Sequence, residues 1–171
     1  MIVDYIQLLR APRAGMKREE IVSESARGLR AMAQELGVTV LALSQLSRAV
    51  ENRPDKHPQL SDLRESGELE QAARTVLLLH RDDYYQRKRK DYRPTGLVEV
   101  DIAKQNNGPQ GRAWLHFDAP STAFTSRTPE AEPAHMAACR CSSCRTARED
   151  DARHAATAPG FFDDLVGEPS R

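Results

Sequence analysis

The sequence predicts an α/β fold, a parallel-stranded core that closes with a β-hairpin and runs on into a disordered tail. Three observations carry that prediction. Apolar runs too short for helices flank one stretch with helical spacing; an alternating run meets a second short run across an Asn-Gly-Pro turn; and the composition changes near Ser126. Strand, helix and strand joined by a crossover is the signature of a parallel sheet with buried strands.

Ile2 to Ile6 reads as a short apolar strand. A loop containing Pro12 and Gly15 follows over Ala11 to Gly15. From Lys17 to Leu36 the apolar residues Val22, Ala26, Leu29, Ala33 and Leu36 recur every three or four positions, which draws one face of a helix, and Gly37 stands where a C-terminal cap belongs. Val38 to Leu43 reads as a second buried strand, and Thr75 to Leu79 as a third, apolar after its first residue. Between them Ser44 to Glu70 is polar and carries Pro54 and Pro58. Leu97 to Ala103 alternates Leu97, Glu99 and Asp101 against Val98, Val100 and Ile102; the turn Asn107-Gly108-Pro109 then leads to Ala113 to Phe117, which makes a hairpin. After Ser126, prolines stand among Ala, Arg, Glu and Asp with little periodicity, so residues 126–171 read as a disordered tail with one apolar cluster, Phe161, Phe162, Leu165 and Val166.

The 171 residues are the size of one domain, and 39% of them are hydrophobic, enough for a modest core. Net charge is +0, so any case for a nucleic acid rests on local charge. No apolar run approaches the roughly 18–20 residues of a membrane span, and Met1 to Leu9 lacks the basic start of a signal peptide, so no membrane partner is expected. Three clustered cysteines make a poor disulfide framework, which points to a reducing cytoplasm.

Certain residues carry chemistry. Asp4 is an acid on an apolar strand, where a carboxylate is costly unless paired or held by a metal; in nucleotide hydrolases such an acid organises the Mg²⁺ shell. Gln45 lies just past the second strand, the position at which α/β sheets place ligands, and its amide can donate to a phosphate oxygen and accept from a water. Leu60 to Gln71 mixes Arg64 with the small pair Ser66-Gly67 and several acids. Glycine lets a backbone approach a phosphate and arginine supplies the paired charge, although a helix capped by Ser61 is the plainer reading. The stretch His80 to Arg93 interleaves basic residues with Tyr84, Tyr85 and Tyr92, which suits some affinity for DNA, with a solvated loop as the plainer reading.

In this order, Ile-Val-Asp-Tyr-Ile-Gln-Leu, Leu-Ser-Gln-Leu-Ser-Arg-Ala-Val-Glu, Leu-Ser-Asp-Leu-Arg-Glu-Ser-Gly-Glu-Leu-Glu-Gln and the hairpin Ala103-Lys-Gln-Asn-Asn-Gly-Pro-Gln-Gly111 resemble the replicative DNA helicases of the DnaB type. The resemblance covers residues 1–125. It implies part of a RecA-like P-loop ATPase core, and proteins that assemble as hexameric rings, use ATP and Mg²⁺, and move along single-stranded DNA in the cytoplasm. By that resemblance Asp4 is the Walker B acid, Gln45 senses the γ-phosphate and couples it to DNA, Arg64, Glu65 and Gly67 grip the DNA backbone, and Lys104 reaches the neighbouring subunit's nucleotide site.

The sequence departs from the pattern in three places. The phosphate-loop motif G-x-x-x-x-G-K-[ST] occurs nowhere in it, and Gly15-Met16-Lys17 has neither the spacing nor the hydroxyl. Where the family carries a finger arginine two residues after the hairpin lysine, Asn106 stands instead, without positive charge. The family's acids after Gln71 are replaced by Ala72 and Arg74. The expectation is a helicase core that lacks its phosphate-loop strand and is not a competent ATPase alone. The alternative is a non-catalytic single-stranded-DNA-binding or ring-modulating partner of full-length helicase subunits; a native start upstream of Met1 is the third reading. In the tail, Cys139, Cys141 and Cys144 with His135 or His154 offer zinc ligands, but the compressed spacing favours loose surface cysteines.

Overall fold

The computed structural model describes residues 1–11, 13–127 and 142–156, with side chains except those of 64–66, 142–144, 151 and 154–156. Along the chain come β1 (Ile2–Val3), α1 (Arg18–Leu36), β2 (Leu41–Ala42), α2 (Gly67–Ala72), β3 (Thr75–His80), α3 (Asp82–Gln86), β4 (Leu97–Gln105), β5 (Gly111–Asp118), β6 (Ala123–Ser126) and α4 (Ser142–Ala156), with 3₁₀ turns at Ile6–Leu8, Arg48–Asn52 and Leu60–Ser66. The α/β class holds. β1 and β2 pair in parallel, Ile2 opposite Leu41 and Val3 opposite Ala42, with α1 as their crossover. The other strands form a separate sheet in the order β3-β4-β5-β6.

The helix predicted from Lys17 runs from Arg18 to Leu36, and Gly37 adopts the left-handed conformation with φ 63° that ends it. At its start the Glu20 carboxylate accepts from the Lys17 backbone N–H at 2.9 Å, satisfying one of the donors a helix N-terminus leaves open. The predicted face is buried over its first half only: Val22 and Ala26 pack with Ile6, supported by Leu29, Leu69 and Ala72, while Leu36 is exposed.

The first two strands are shorter than the sequence suggests. The first gives way at Ile6 to a 3₁₀ turn, and the second keeps ladder geometry only at Leu41–Ala42. β3 has the predicted extent, yet one of its faces is uncovered: Val76, Leu78 and His80 are buried, whereas Leu77 and Leu79 are 46% and 55% exposed. The unbroken apolar run from Val76 to Leu79 argues for burial on both faces; burial depends on a neighbour, and none of the described residues covers that side. On the buried side Val76 and Leu78 pack with Leu63, supported by Leu46, Leu60, Ala73 and Ala103.

The hairpin is where the turn signal placed it, extended to Gln105 on one side and to Asp118 on the other, and a further strand, β6, pairs antiparallel with β5 from Leu115–Ser126 to Asp118–Ala123. The chain divides into two compact units, Met1–His80 with Val100–Ala113, and Arg81–Glu99 with Trp114–Arg171. In the second unit Gly96 is the glycine that the geometry requires. Its φ is +70°, and a Cβ would lie 2.6 Å from His116 Nε2.

Within residues 126–171, Ser142–Ala156 is helical. That segment is rich in Ala and Arg, good helix formers whose propensity shows no hydrophobic period. It buries Ala147, and its Asp150 accepts from Trp114 Nε1 at 3.1 Å. Cys139, Cys141, the Cys144 side chain and the apolar cluster from Phe161 to Val166 lie outside the described residues. No described helix is long and apolar enough to cross a membrane.

Candidate functional site

The parallel pairing of β1 with β2 brings two of the predicted residues to the same strand ends. Leu43 N–H donates to Val3 O and Ile6 N–H to Leu43 O, both at 2.9 Å, so the segment after Asp4 is laced to the one before Gln45. Asp4 is exposed, without a hydrogen bond or ion pair to any described residue. Gln7 holds the neighbouring turn: its Nε2 donates to Ser44 Oγ at 3.0 Å and to Gln45 O at 3.2 Å, and its Oε1 accepts from Gln45 N–H at 3.3 Å. Gln7 thus fixes the backbone of Gln45, whose side chain is exposed.

Two residues further on, Ser47 N–H donates to Asp62 O at 3.0 Å. Ser47 also caps the Arg48–Asn52 turn through its hydroxyl, which accepts from Ala49 N–H at 3.3 Å. Asp62 is the hub of the next segment. Its carboxylate receives both terminal nitrogens of Arg53, Nη1 on Oδ1 at 3.0 Å and Nη2 on Oδ2 at 2.8 Å, and also the Gln59 N–H at 2.8 Å. Arg53 reaches further, to His57 O at 2.8 Å and Gln59 Oε1 at 3.3 Å. Two residues past this clamp come Arg64 and Glu65, in a 3₁₀ turn that passes into α2 at Gly67.

The segment expected to be a loop, or a helix capped by Ser61, is therefore a 3₁₀ turn whose cap position is Gln59. The pair Gln59-x-x-Asp62 satisfies its first donors in the way a capping box does, with the acid three residues after the cap. Gly67 has ordinary helical angles, φ −50° and ψ −23°, and a Cβ there would meet no atom within 4 Å. The local fold does not demand a glycine at this position.

Lys104 folds back within its own unit, and its Nζ donates to Glu70 O at 2.6 Å, on the helix that begins with Gly67. Asn106 is exposed, and its backbone N–H donates to Arg74 O at 3.0 Å. The structure thus ties Gln45, the Arg64 turn and Lys104 into one hydrogen-bonded series. Arg53, Asp62, Ser47 and Gln7 are the positioning residues that sequence reasoning missed. Of these, only the Gln59-x-x-Asp62 spacing was a readable signal.

These residues do not fit a complete site for Mg-ATP. Neither a phosphate lysine with its hydroxyl nor a glycine cradle occurs in the 171 residues, and among the described residues no three His, Cys, Asp or Glu side chains come together around a metal position.

The family model described as the DnaB-like helicase C-terminal domain matches residues 1–126. The replicative DNA helicase DnaB of Geobacillus stearothermophilus is 50% identical over 118 residues, 68% of this chain and 25% of that protein. The replicative DNA helicase DnaC of Bacillus subtilis is 48% identical over the same length and coverage. Among solved structures, an ATPase domain matches with a TM-score of 0.68 and 46% identity over 74% of this chain and 44% of that one. A DnaB-like replicative helicase, solved in a study of its interactions with primase, matches with the same score and identity over 74% of this chain and 30% of that one. The chain spans about a quarter of the length of the curated relatives it matches.

Proposed function

The chain belongs to the family of DnaB-like helicase C-terminal domains, and from that premise we propose that it supplies the DNA-gripping and phosphate-sensing half of a replicative helicase's ATPase core. The observation that carries this reading is the series of bonds from Gln45 to the Arg64 turn through Ser47 and Asp62. A residue that detects a γ-phosphate can influence a DNA contact only through a continuous physical connection, and here the connection is one backbone hydrogen bond plus a charged clamp. Asp4, at the end of β1, is suited to organise Mg²⁺ once the phosphate loop is supplied from elsewhere. Arg64 and the open backbone at Gly67 are suited to a phosphate of single-stranded DNA, since an absent side chain lets the main chain come close. Without the phosphate cradle the 171 residues alone are not an ATPase. The partners that follow are single-stranded DNA, further helicase subunits in a ring and, from the relative studied with primase, a primase.

Gly67→Ala tests the reading. Because the added methyl meets open space at helical angles, the substitution should leave stability unchanged or raise it by about 0.4–1 kcal/mol. If the backbone at Gly67 approaches DNA, the same methyl should weaken binding of an oligo-dT strand severalfold. Unchanged DNA affinity in a variant of equal or greater stability would remove the assignment of this turn to DNA.

A further inference from the structure

The segment from Tyr84 to Arg93 holds five basic residues, Arg87, Lys88, Arg89, Lys90 and Arg93, against one acid, Asp91, a local charge of +4 in a chain whose net charge is +0. A solvated charge run is ordinarily mobile, and its cations find acids of the same surface. Here neither holds. The segment is tied down at its root by Asp83, whose carboxylate accepts from Tyr92 Oη at 2.5 Å, from Thr95 N–H at 2.9 Å and Oγ1 at 3.1 Å, and from Gly96 N–H at 2.8 Å. Between these ties the backbone turns twice, Arg89 N–H donating to Gln86 O at 2.9 Å and Tyr92 N–H to Arg89 O at 3.2 Å. The five cations are exposed, and among the described residues none lies in a salt bridge, whereas Arg13, Arg27 and Arg53 are each paired with an acid. Holding five cations close together with one acid, Asp91, among them is unfavourable, and a bound polyanion relieves it.

Aromatic residues favour one polyanion over another. The Arg87 guanidinium lies 4.7 Å from the centre of the Tyr84 ring, which stands edge-on to Tyr85 at 5.2 Å and is 47% exposed. A cation stacked on an exposed ring makes a platform for an unpaired base, while the lysines beside it follow the phosphates. We propose that residues 84–93 form a binding site for single-stranded nucleic acid, separate from the turn of Arg64 and Gly67. It stands on the charge and anchoring of this segment and does not depend on the reading of that turn.

The experiment measures binding of a fluorescent dT20 strand to the full 171-residue chain across a salt series. Lys88→Gln/Arg89→Gln/Lys90→Gln removes three exposed charges and the hydrogen bond from Arg89 Nη1 to Gln86 Oε1 at 3.2 Å, leaving the Asp83 clamp intact. This variant should bind about tenfold more weakly at low salt, and the slope of log K against log salt should fall by about 2, since each phosphate contact on a single strand contributes about 0.7. The charge-retaining variant Lys88→Arg/Arg89→Lys/Lys90→Arg should match the wild type, which separates lost charge from lost fold. Tyr84→Ala should weaken binding by about tenfold. Equal affinity and slope in the glutamine variant overturn the proposal, as does a wild-type chain that does not bind dT20. Displacement of dT20 by poly-glutamate of matched charge, or equal affinity for a duplex of the same length, overturns the assignment to a single strand. Loss of binding in Gly67→Ala with none in the glutamine variant sinks this site and leaves the Arg64 turn standing; the reverse pattern supports this site and sinks that turn.

Discussion

The Arg53 guanidinium grips the Asp62 carboxylate with both terminal nitrogens, at 3.0 and 2.8 Å, two residues before Arg64. The Asp62 side chain is 5% exposed and the Arg53 side chain 30%, so this charge pair sits at the inner edge of the surface. A bidentate pair fixes direction as well as distance. It holds the start of the 3₁₀ turn against the segment that follows Gln45, through Ser47 N–H on Asp62 O. The geometry of the turn that carries Arg64 is thereby set by a residue eleven positions upstream of it.

Arg53→Ala should therefore destabilise the chain by roughly 2–4 kcal/mol, because it leaves the Asp62 carboxylate buried with only the Gln59 N–H as donor. The double variant Arg53→Ala/Asp62→Ala should lose less than the sum of the single variants, since it removes the stranded charge. Urea denaturation of all four proteins closes the cycle. Strict additivity would mean that the two groups do not depend on each other.

Calorimetric titration of the 171-residue chain with Mg-ATP is expected to show no saturable binding up to millimolar nucleotide. Asp4 alone cannot replace a cradle of backbone N–H groups and a phosphate lysine. Micromolar affinity would show that other residues make a phosphate site.

By its resemblance to the family, Asn106 is expected to stand where a finger arginine belongs, and its exposed side chain has no positive charge to stabilise a transferring phosphoryl group. A chimaera in which a relative supplies the part of the ATPase core that this chain does not span gives the test. Asn106→Arg should accelerate DNA-stimulated hydrolysis by up to about 10³–10⁵-fold. Lys104 brings a point charge without a planar fork, and in this structure it is bonded to Glu70 O. Equal rates for the two chimaeras would show that Asn106 is harmless.

Asp55 has a predictable pH signature. Hydrogen bonds from the His57 backbone N–H at 3.0 Å and from its ring Nδ1 at 2.6 Å hold the carboxyl below its ordinary 3.8, with lesser help from the charges of His57 and His80. The folded state thus prefers the ionised form. The contribution is fully present above pH 3.8 and is lost as pH falls below 3.8 through the lower folded value. With Asp55 exposed, it should amount to less than about 1 kcal/mol. Asp55→Asn should flatten stability against pH in that acid window and leave neutral pH little changed. A wild-type Asp55 titrating at or above 3.8 by carboxyl NMR would contradict this.

The sequence by itself determined what depends on local order. The spacing of Val22, Ala26 and Leu29 specified α1, Gly37 ended it, and Asn107-Gly108-Pro109 set the hairpin, because helical period, a left-handed cap and a tight turn are each encoded within a few residues. The order of the segments around Asp4, Gln45 and Arg64 identified the family for the same reason. Tertiary structure decided what depends on residues distant in sequence or on the presence of a neighbour. Nothing in the chain order says that Gln7 would fasten Gln45, that Ser47 would meet Asp62, or that Lys104 would turn back onto Glu70. Nor could an apolar run say that Leu78 would be buried while Leu77 and Leu79 stayed in water, since hydrophobicity favours burial on both faces and only a packing partner can provide it.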